Sequence, residues 1–485
     1  MADIVQSFLE APTTKRFQLL KDAAVSEAVR AYLGPAAFAE LEMIARGAGA
    51  HLAGTAVNLV FVPGVMGSML TSRSIGGVWW IDVLNRAHLD DLRLSSDGSE
   101  DLERQNDVVP FAVDMTYEPF MRAVLRRDDF THVSFPYDWR KAFGRNTTAL
   151  KDLILKTFTE NKTRVHLVAH SMGGLLVRAT LMEYERELSK AVGRIVFIGT
   201  PHYGAMVIGG YLKNHLWGFE MLALLGRYIS RDTFRSLWGV LTLLPAPVGV
   251  YPGTRPGDPN PWMTPAAEKW FYDHPCANFD LYVADSWSLD INQQQKQELQ
   301  RVLNGAADFH RRLHAWHQTL DAELAERMLM IAGVGYKALF RMVYRSHAFG
   351  LWSDMSKTTD RLPGDPHRDS DGRVPLASAL LDNITTRYVT GVHGGLPNIP
   401  AVYNDVFNWL NQQPLQHLAK TAKDAVNVHL ADPTGGSTAP NLDGTVGASG
   451  DDPGYWHDTD YGPVLDEIDA SLPANPGAFH RVRLL

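Results

Sequence analysis

Short strand-like runs recur along this chain of 485 residues, and the most apolar of them have the composition of strands buried on both faces of a sheet. They lie at residues 57–62, 132–135, 165–169, 194–198, 328–335 and 387–390. The run at 165–169 passes through a serine into residues 175–182, which are good helix formers. This succession predicts an α/β fold with a mostly parallel central sheet flanked by helices.

The turn after the third run carries a candidate nucleophile, Ser171. Its neighbours two positions away are Ala169 and Gly173, and the helix follows at once. A serine in such a strand–turn–helix unit takes an unfavourable backbone conformation, so both neighbouring positions must be small. The pattern is that of the nucleophile elbow of the α/β-hydrolase fold. An ordinary strand-to-helix turn is the alternative.

A candidate acid and base follow later in the chain. Asp371 lies in a turn after the penultimate predicted strand, and His393 lies beside glycine after the last one. The chain order Ser171, Asp371, His393 is the order that a Ser-Asp-His triad has in this fold. On spacing alone, Asp365 and Asp369 remain alternatives to Asp371.

A Gly-rich loop at residues 63–68 follows the first predicted strand. An α/β-hydrolase places one backbone donor of its oxyanion hole there, and the second would be the amide of Met172. A plain Pro-Gly turn is the alternative for the loop.

Four other polar residues are given structural interpretations. Asp138 and Arg140 are expected to form an ion pair that fixes their loop. His202 follows the strand next to the nucleophile strand, whereas the triad histidine comes last in the chain. Cys276 has no Cys or His partner at metal-ligand spacing, so a structural role is expected for it.

The strand pattern stops between residues 205 and 325. Leu212, Leu216, Phe219 and Leu222 fall on one face of a helix there. An insertion at this point is either a helical cap or lid that shields the site, or a segment that only packs on the core.

These changes of pattern divide the chain into four predicted parts. Residues 1–50 form an N-terminal helical extension, 51–204 and 326–411 the α/β-hydrolase core, 205–325 the cap or lid insertion, and 412–485 a C-terminal extension. Residues 432–454 are rich in Gly, Ser, Asp and Pro, so this extension is expected to be partly flexible.

Composition narrows the class of protein. The net charge of -8 argues against nucleic acid as a partner. A single cysteine excludes an internal disulfide and suits a reducing compartment. The start of the chain has no signal-peptide pattern, and the uncharged run at 236–254 contains three prolines, which a membrane-spanning helix would not tolerate. We therefore expect a cytoplasmic protein without a transmembrane segment.

Six motifs in order resemble the lecithin:cholesterol acyltransferase and phospholipase A family. They are PGVMGS at 63–68, YDWR at 137–140, AHSMGG at 169–174, GTPH at 199–202, DGRVP at 371–375 and VH at 392–393. The resemblance spans about residues 57–410. It implies Ser171 as nucleophile, Asp371 as acid and His393 as base, with the Val65 and Met172 amides as oxyanion donors.

The chain departs from the family pattern at three places. Arg373 stands where the family usually has Thr, and Ala169 where the elbow usually has Gly. The cysteine pair that staples the lipid-contacting loop in secreted animal members is absent. Trp79 and Trp80 are nevertheless expected to contact lipid.

The resemblance implies a serine-dependent lipid ester hydrolase or O-acyltransferase that works through an acyl-enzyme. No metal or organic cofactor is expected; the partner is a lipid or other ester substrate, with transient contact to a lipid surface as a hypothesis. Two alternatives are a soluble carboxylesterase or polyester depolymerase, and a catalytically silent scaffold that binds a partner.

Overall fold

The computed structural model of the protein describes residues 18–35, 57–80, 88–213, 229–258, 279–336 and 370–425. Shorter described pieces lie at 4–5, 7–8, 38–39, 42, 263–265, 338, 341–346 and 353–358. Several residues discussed above lie outside the described residues, namely Leu216, Phe219, Leu222, Cys276, Asp365, Asp369 and the stretch 432–454.

Twelve strands occur in the described part of the chain. They are β1 (Val57–Val62), β2 (Ser68–Ser72), β3 (Val78–Trp80), β4 (Val108–Val113), β5 (Phe130–Ser134), β6 (Val165–His170), β7 (Val192–Ile198), β8 (Met263–Pro265), β9 (Met328–Val334), β10 (Arg341–Ser346), β11 (Ser353–Thr358) and β12 (Thr385–Thr390).

The α-helices whose bounds lie within the described residues are α1 (Ala23–Leu33), α2 (Glu118–Leu125), α3 (Phe143–Asn161), α4 (Met172–Leu188), α5 (Val207–Lys213), α6 (Arg231–Arg235), α7 (Trp238–Leu241), α8 (Gln293–Gln318), α9 (Ala322–Glu326), α10 (Leu376–Ala379) and α11 (Pro400–Leu410). Short 3₁₀ segments include Met115–Tyr117 and His393–Asn398. Within the described ranges, no helix combines the length and apolar character needed to cross a bilayer.

Six strands form the central sheet in the order β12-β9-β7-β6-β1-β5. Every neighbouring pair in this sheet is parallel. All six correspond to the apolar runs identified in the sequence, so the predicted α/β class is confirmed. In an open parallel sheet the carboxyl ends of the strands share one edge, where sites are usually built.

Both faces of the central sheet are covered by helices. Val60 and Val62 of β1 belong to the apolar core that includes α3 and α4. Leu59 and Phe61 of the same strand face the other way, into the core formed with α2 and α11. Burial on both faces explains why inner strands such as β1 appear in the sequence as continuous apolar runs.

A small antiparallel sheet, in the order β3-β2-β4, follows the loop at residues 63–68. Helix α1 packs on it through Val29 and Leu33. Trp79 and Trp80 lie in β3, both are buried, and their indole N–H groups donate to the carbonyls of Gly76 and Met66. The expectation that these two side chains contact lipid is therefore wrong for this arrangement.

The described part of the 205–325 insertion packs closely on the core. Leu241, Leu244 and Leu303 are buried in the same apolar cluster as the central sheet. The indole N–H of Trp316 in α8 donates to Glu185 of α4 at 2.9 Å. These contacts favour the packing interpretation for the described residues; the cap function and the four domain boundaries remain predictions.

The predicted ion pair between Asp138 and Arg140 is confirmed. Arg140 is fully buried and donates through Nε and Nη2 to the two carboxylate oxygens of Asp138, at 2.9 and 2.7 Å. A second carboxylate, that of Asp101, lies 2.8 Å from Nη2. A buried guanidinium needs such partners, because an unpaired buried charge is strongly destabilising.

Three buried or half-buried histidines predict a loss of stability in mild acid. Burial lowers the pKa of His132, His166 and His310 to about 4. The unfolded chain, whose histidines titrate near 6.5, takes up these protons first as the pH falls. Their contribution is therefore complete above about pH 6.5 and declines toward pH 4, by up to about 1.4 kcal/mol per pH unit for each histidine.

We expect the urea midpoint to fall between pH 7 and pH 5, before ordinary carboxylates titrate. His166→Asn is the control, since its side-chain oxygen can still accept the Arg194 amide that His166 Nδ1 accepts at 3.0 Å. This variant should show a shallower pH slope. Equal midpoints for the wild-type protein at pH 7 and pH 5 would contradict the prediction.

Candidate active site

Ser171 lies at the carboxyl edge of the central sheet, between the end of β6 and the start of α4. Its backbone has φ 51° and ψ -126°, a region that non-glycine residues rarely adopt. The Ser171 amide donates to the Ile198 carbonyl at 2.9 Å, and its carbonyl accepts from the Gly174 amide at 2.9 Å. These bonds hold the strained turn that the sequence predicted.

The close packing of this turn explains the small residues around it. A Cβ atom on Gly173 would lie 2.4 Å from the Pro63 carbonyl oxygen. A Cβ atom on Gly64 would lie 3.0 Å from the Ser171 Cβ. The loop at residues 63–68 therefore lies directly against the serine turn, as predicted, and glycine permits that approach.

His393 links the serine to a carboxylate. Its Nε2 lies 2.8 Å from Ser171 Oγ, and its Nδ1 lies 2.7 Å from Asp371 Oδ2. A carboxylate can only accept, so the proton of the neutral imidazole belongs on Nδ1. The bare Nε2 is then free to accept the serine hydroxyl proton. The three predicted triad candidates thus come together with the polarity that a nucleophile and base require.

The Asp371 carboxylate is itself held by backbone donors. Its Oδ1 accepts the amides of Arg373 at 3.0 Å and Val374 at 2.8 Å, which leaves Oδ2 for His393. The Asp371 carbonyl also accepts the His393 amide at 2.8 Å. Because position 373 contributes its backbone amide, an arginine there can replace the family's usual Thr without loss of this bond.

The two amides expected to bind an oxyanion flank the serine. Met172 is the first residue of α4, and the first amides of a helix have no partner within it. Val65 follows Gly64, which packs on Ser171. Met66, the next residue, has a left-handed φ of 62°, and its carbonyl accepts from the Trp80 indole at 2.9 Å. The roles of Val65 and Met172 remain predictions.

Two residues beside the site were not identified from the sequence. His170 Nδ1 lies 2.8 Å from the Tyr117 hydroxyl, and His170 Nε2 lies 2.9 Å from the His393 carbonyl oxygen. The Tyr117 hydroxyl also accepts the Gly64 amide at 2.9 Å. The place of His170 directly before the serine was the one available signal, and Tyr117 gave none.

His202 does not join the triad candidates. It is buried, and its Nδ1 lies 3.4 Å from Nη1 of the buried Arg178 of α4. Burial, and then the charge of Arg178, lower the pKa of His202 well below its usual value. This placement agrees with the structural role expected for it.

The sequence comparisons give one family match and one related protein. Residues 121–274 match the model of the lecithin:cholesterol acyltransferase family, a range that contains Ser171 but neither Asp371 nor His393. An uncharacterized protein of Saccharomyces cerevisiae is 26% identical over an alignment of 195 residues, and the match covers 37% of this chain and 29% of that protein. The chain thus matches less than a third of the length of this relative.

Two solved structures resemble this chain to different extents. One chain in the crystal structure of the Tle4-Tli4 complex is 14% identical, with a TM-score of 0.51 over 75% of this chain and 100% of that one. The mature form of Bacillus licheniformis lipase BlEst2 is 13% identical, with a TM-score of 0.32 over 75% of this chain and 93% of that one. The likeness to the first, which has the TM-score above 0.5, concerns the fold alone. The chain has the α/β-hydrolase fold and, over residues 121–274, is similar to the lecithin:cholesterol acyltransferase family.

Proposed function

We propose that this protein is a serine-dependent lipid ester hydrolase or O-acyltransferase. The observation that carries the proposal is the continuous chain Ser171 Oγ, His393 Nε2, His393 Nδ1 and Asp371 Oδ2, with contacts of 2.8 and 2.7 Å. The match to the lecithin:cholesterol acyltransferase family supports an ester hydrolase or acyltransferase.

In the first half of the reaction, His393 Nε2 takes the hydroxyl proton as Ser171 Oγ attacks the ester carbonyl carbon. The carbonyl π pair moves to oxygen and gives a tetrahedral oxyanion. Collapse of this intermediate breaks the bond to the leaving alkoxide, which receives the proton from His393. Asp371 holds the imidazole and stabilises its charged form. The products are an alcohol and an acyl-Ser171 ester.

The oxyanion is assigned to the backbone amides of Val65 and Met172. The close approach of Gly64 to Ser171 supports this assignment, because it brings the next amide of the loop near the reacting carbon. Each such donor contributes about 3 kcal/mol to transition-state stabilisation.

In the second half, His393 removes a proton from an acceptor that attacks the acyl carbon. The bond from this carbon to Ser171 Oγ then breaks, and His393 returns the proton to Oγ. Water as acceptor releases a free acid, and an alcohol as acceptor forms a new ester. The family match supports a lipid-like acyl chain. How far the insertion excludes water decides between the two outcomes.

A series of p-nitrophenyl esters from acetate to palmitate, in detergent above its micellar concentration, tests the substrate class. Ser171→Ala is run beside the wild-type protein to remove background hydrolysis. We expect kcat/KM to rise from the acetate ester to the medium- and long-chain esters. An acetate ester that reacts as fast as the longer ones would replace the lipid proposal with a carboxylesterase.

Transfer of the acyl group to an alcohol is tested by adding a long-chain alcohol to the same reaction. The ratio of new ester to free acid measures how the acyl-enzyme is partitioned. A ratio that does not respond to the alcohol concentration would identify the protein as a hydrolase.

A further inference from the structure

We propose that Tyr117 and His170 are positioning residues that join the loop at residues 63–68 to the backbone of His393 in one hydrogen-bonded unit. The chain of contacts runs from the Gly64 amide to the Tyr117 hydroxyl at 2.9 Å and on to His170 Nδ1 at 2.8 Å. From His170 Nε2 it continues to the His393 carbonyl oxygen at 2.9 Å. This inference rests on the proposed function of the site.

The direction of every hydrogen bond in this chain is determined by its two ends. The His393 carbonyl can only accept, so His170 carries its proton on Nε2 and has a bare Nδ1. The Tyr117 hydroxyl must then donate to Nδ1. Its oxygen keeps a lone pair for the Gly64 amide, which can only donate. One proton arrangement therefore satisfies all four groups.

Burial keeps both side chains in the neutral form that this arrangement needs. Tyr117 and His170 are 4% and 3% exposed. Burial raises the pKa of Tyr117 above its usual value. Burial, and then the nearby His393 ring, lower the pKa of His170 well below its usual value. At neutral pH neither group changes charge, so the unit does not compete with His393 for the proton from Ser171.

Other contacts hold the Tyr117 segment in place. Asn398, at the end of the 3₁₀ segment that begins with His393, donates to the Thr116 carbonyl at 2.6 Å and accepts the Phe120 amide at 3.2 Å. A Cβ atom on Gly67 would meet the Tyr117 ring at 2.8 Å. Tyr117 is thus fixed between the loop and the His393 segment.

The consequence concerns the transition state more than the bound substrate. Gly64 precedes Val65, the proposed oxyanion donor, and the His393 carbonyl belongs to the residue whose ring takes the proton. A small displacement of either group weakens interactions made during the reaction, and about 1 Å can cost roughly a hundredfold in rate. Loss of the unit should therefore lower kcat and leave KM nearly unchanged.

Tyr117→Phe is the primary variant, because it removes one oxygen and keeps the ring that packs on Gly67. We expect kcat for ester hydrolysis and the rate of fluorophosphonate labelling to fall roughly 10- to 100-fold, with KM within about twofold. Thermal unfolding is measured alongside, so that rates are compared well below the midpoint of each variant.

Tyr137→Phe is the matched control. Tyr137 is also buried, but its hydroxyl has no hydrogen-bond partner among the described residues. The control should keep the wild-type kcat. Wild-type labelling and kcat in Tyr117→Phe would overturn the inference while leaving the proposed function intact. A wild-type protein that is not labelled at all would instead count against the proposed function.

A double-mutant cycle tests whether the two residues act as one unit. His170→Asn keeps an acceptor near the position of Nδ1 and removes the donor to the His393 carbonyl. If Tyr117 and His170 act through one chain, the loss in the double variant is smaller than the product of the two single losses. Losses that multiply would show that the two residues act independently.

Discussion

Replacing Ser171 by alanine should abolish fluorophosphonate labelling and lower kcat for ester hydrolysis by roughly 10⁶-fold. The alanine lacks the oxygen that forms the acyl-enzyme, so His393 has no hydroxyl to deprotonate. The residual rate comes from the remaining binding and oxyanion contacts. The substitution removes one buried oxygen and leaves the packing of Gly64 and Gly173 around the turn unchanged, so the folded structure should persist.

Ser189→Ala is the matched control for this experiment. Ser189 follows α4 at its other end, and its exposed hydroxyl donates only to the Arg186 carbonyl among the contacts of the described residues. It should be labelled at the wild-type rate. Labelling that persists in Ser171→Ala would place the nucleophile elsewhere, and equal activity of both variants would refute the proposed mechanism.

The inner strands of the central sheet could be predicted from the sequence because they are covered on both faces. Residues such as Leu59 and Val60 point to opposite sides and are both fully buried, so neither side of the strand requires a polar residue. A continuous apolar run is the direct result. All six runs became strands of one parallel sheet.

The small sheet formed by β2, β3 and β4 was not predicted, because its strands show no clear hydrophobic pattern in the sequence. Strand β2, Ser68–Ser72, mixes hydroxyl and apolar side chains, yet all five residues are buried. It is stabilised by pairing with β4, some forty residues later, and not by a pattern of its own. Trp79 and Trp80 lie in β3, which pairs with β2, and they are buried although no local pattern marks them as core residues.

At the candidate site, the residues marked by their order in the chain could be predicted, and a residue positioned only by contacts with distant parts of the chain could not. The order of Ser171, Asp371 and His393 is visible in one sequence, and it selected three residues that the fold brings together. Tyr117 reaches Gly64 and His170 across 53 residues in each direction. No local pattern marks such a contact, because a single tyrosine near a helix start is ordinary.

Replacing Asp371 by asparagine should lower kcat by about 10⁴-fold without unfolding the protein. The wild-type Oδ1 accepts two amides, those of Arg373 and Val374. An asparagine side chain satisfies these donors only with its oxygen, so its NH₂ group must occupy the place of Oδ2. The NH₂ group then donates to His393 Nδ1, and the imidazole proton moves to Nε2.

In this tautomer the Nε2–H group of His393 points at Ser171 Oγ, so Nε2 cannot accept the hydroxyl proton. Nitrogen-15 NMR of the imidazole should show that the proton has moved from Nδ1 to Nε2. The value of kcat should fall with KM nearly unchanged. Asp382→Asn, which alters an exposed carboxylate before β12, should behave as wild type. If Asp371→Asn kept more than about a tenth of the wild-type kcat, Asp371 would not be the acid that orients His393. The proposed chemistry therefore depends on the tautomer of His393. That tautomer is determined by the Asp371 carboxylate, which the Arg373 and Val374 amides hold in place.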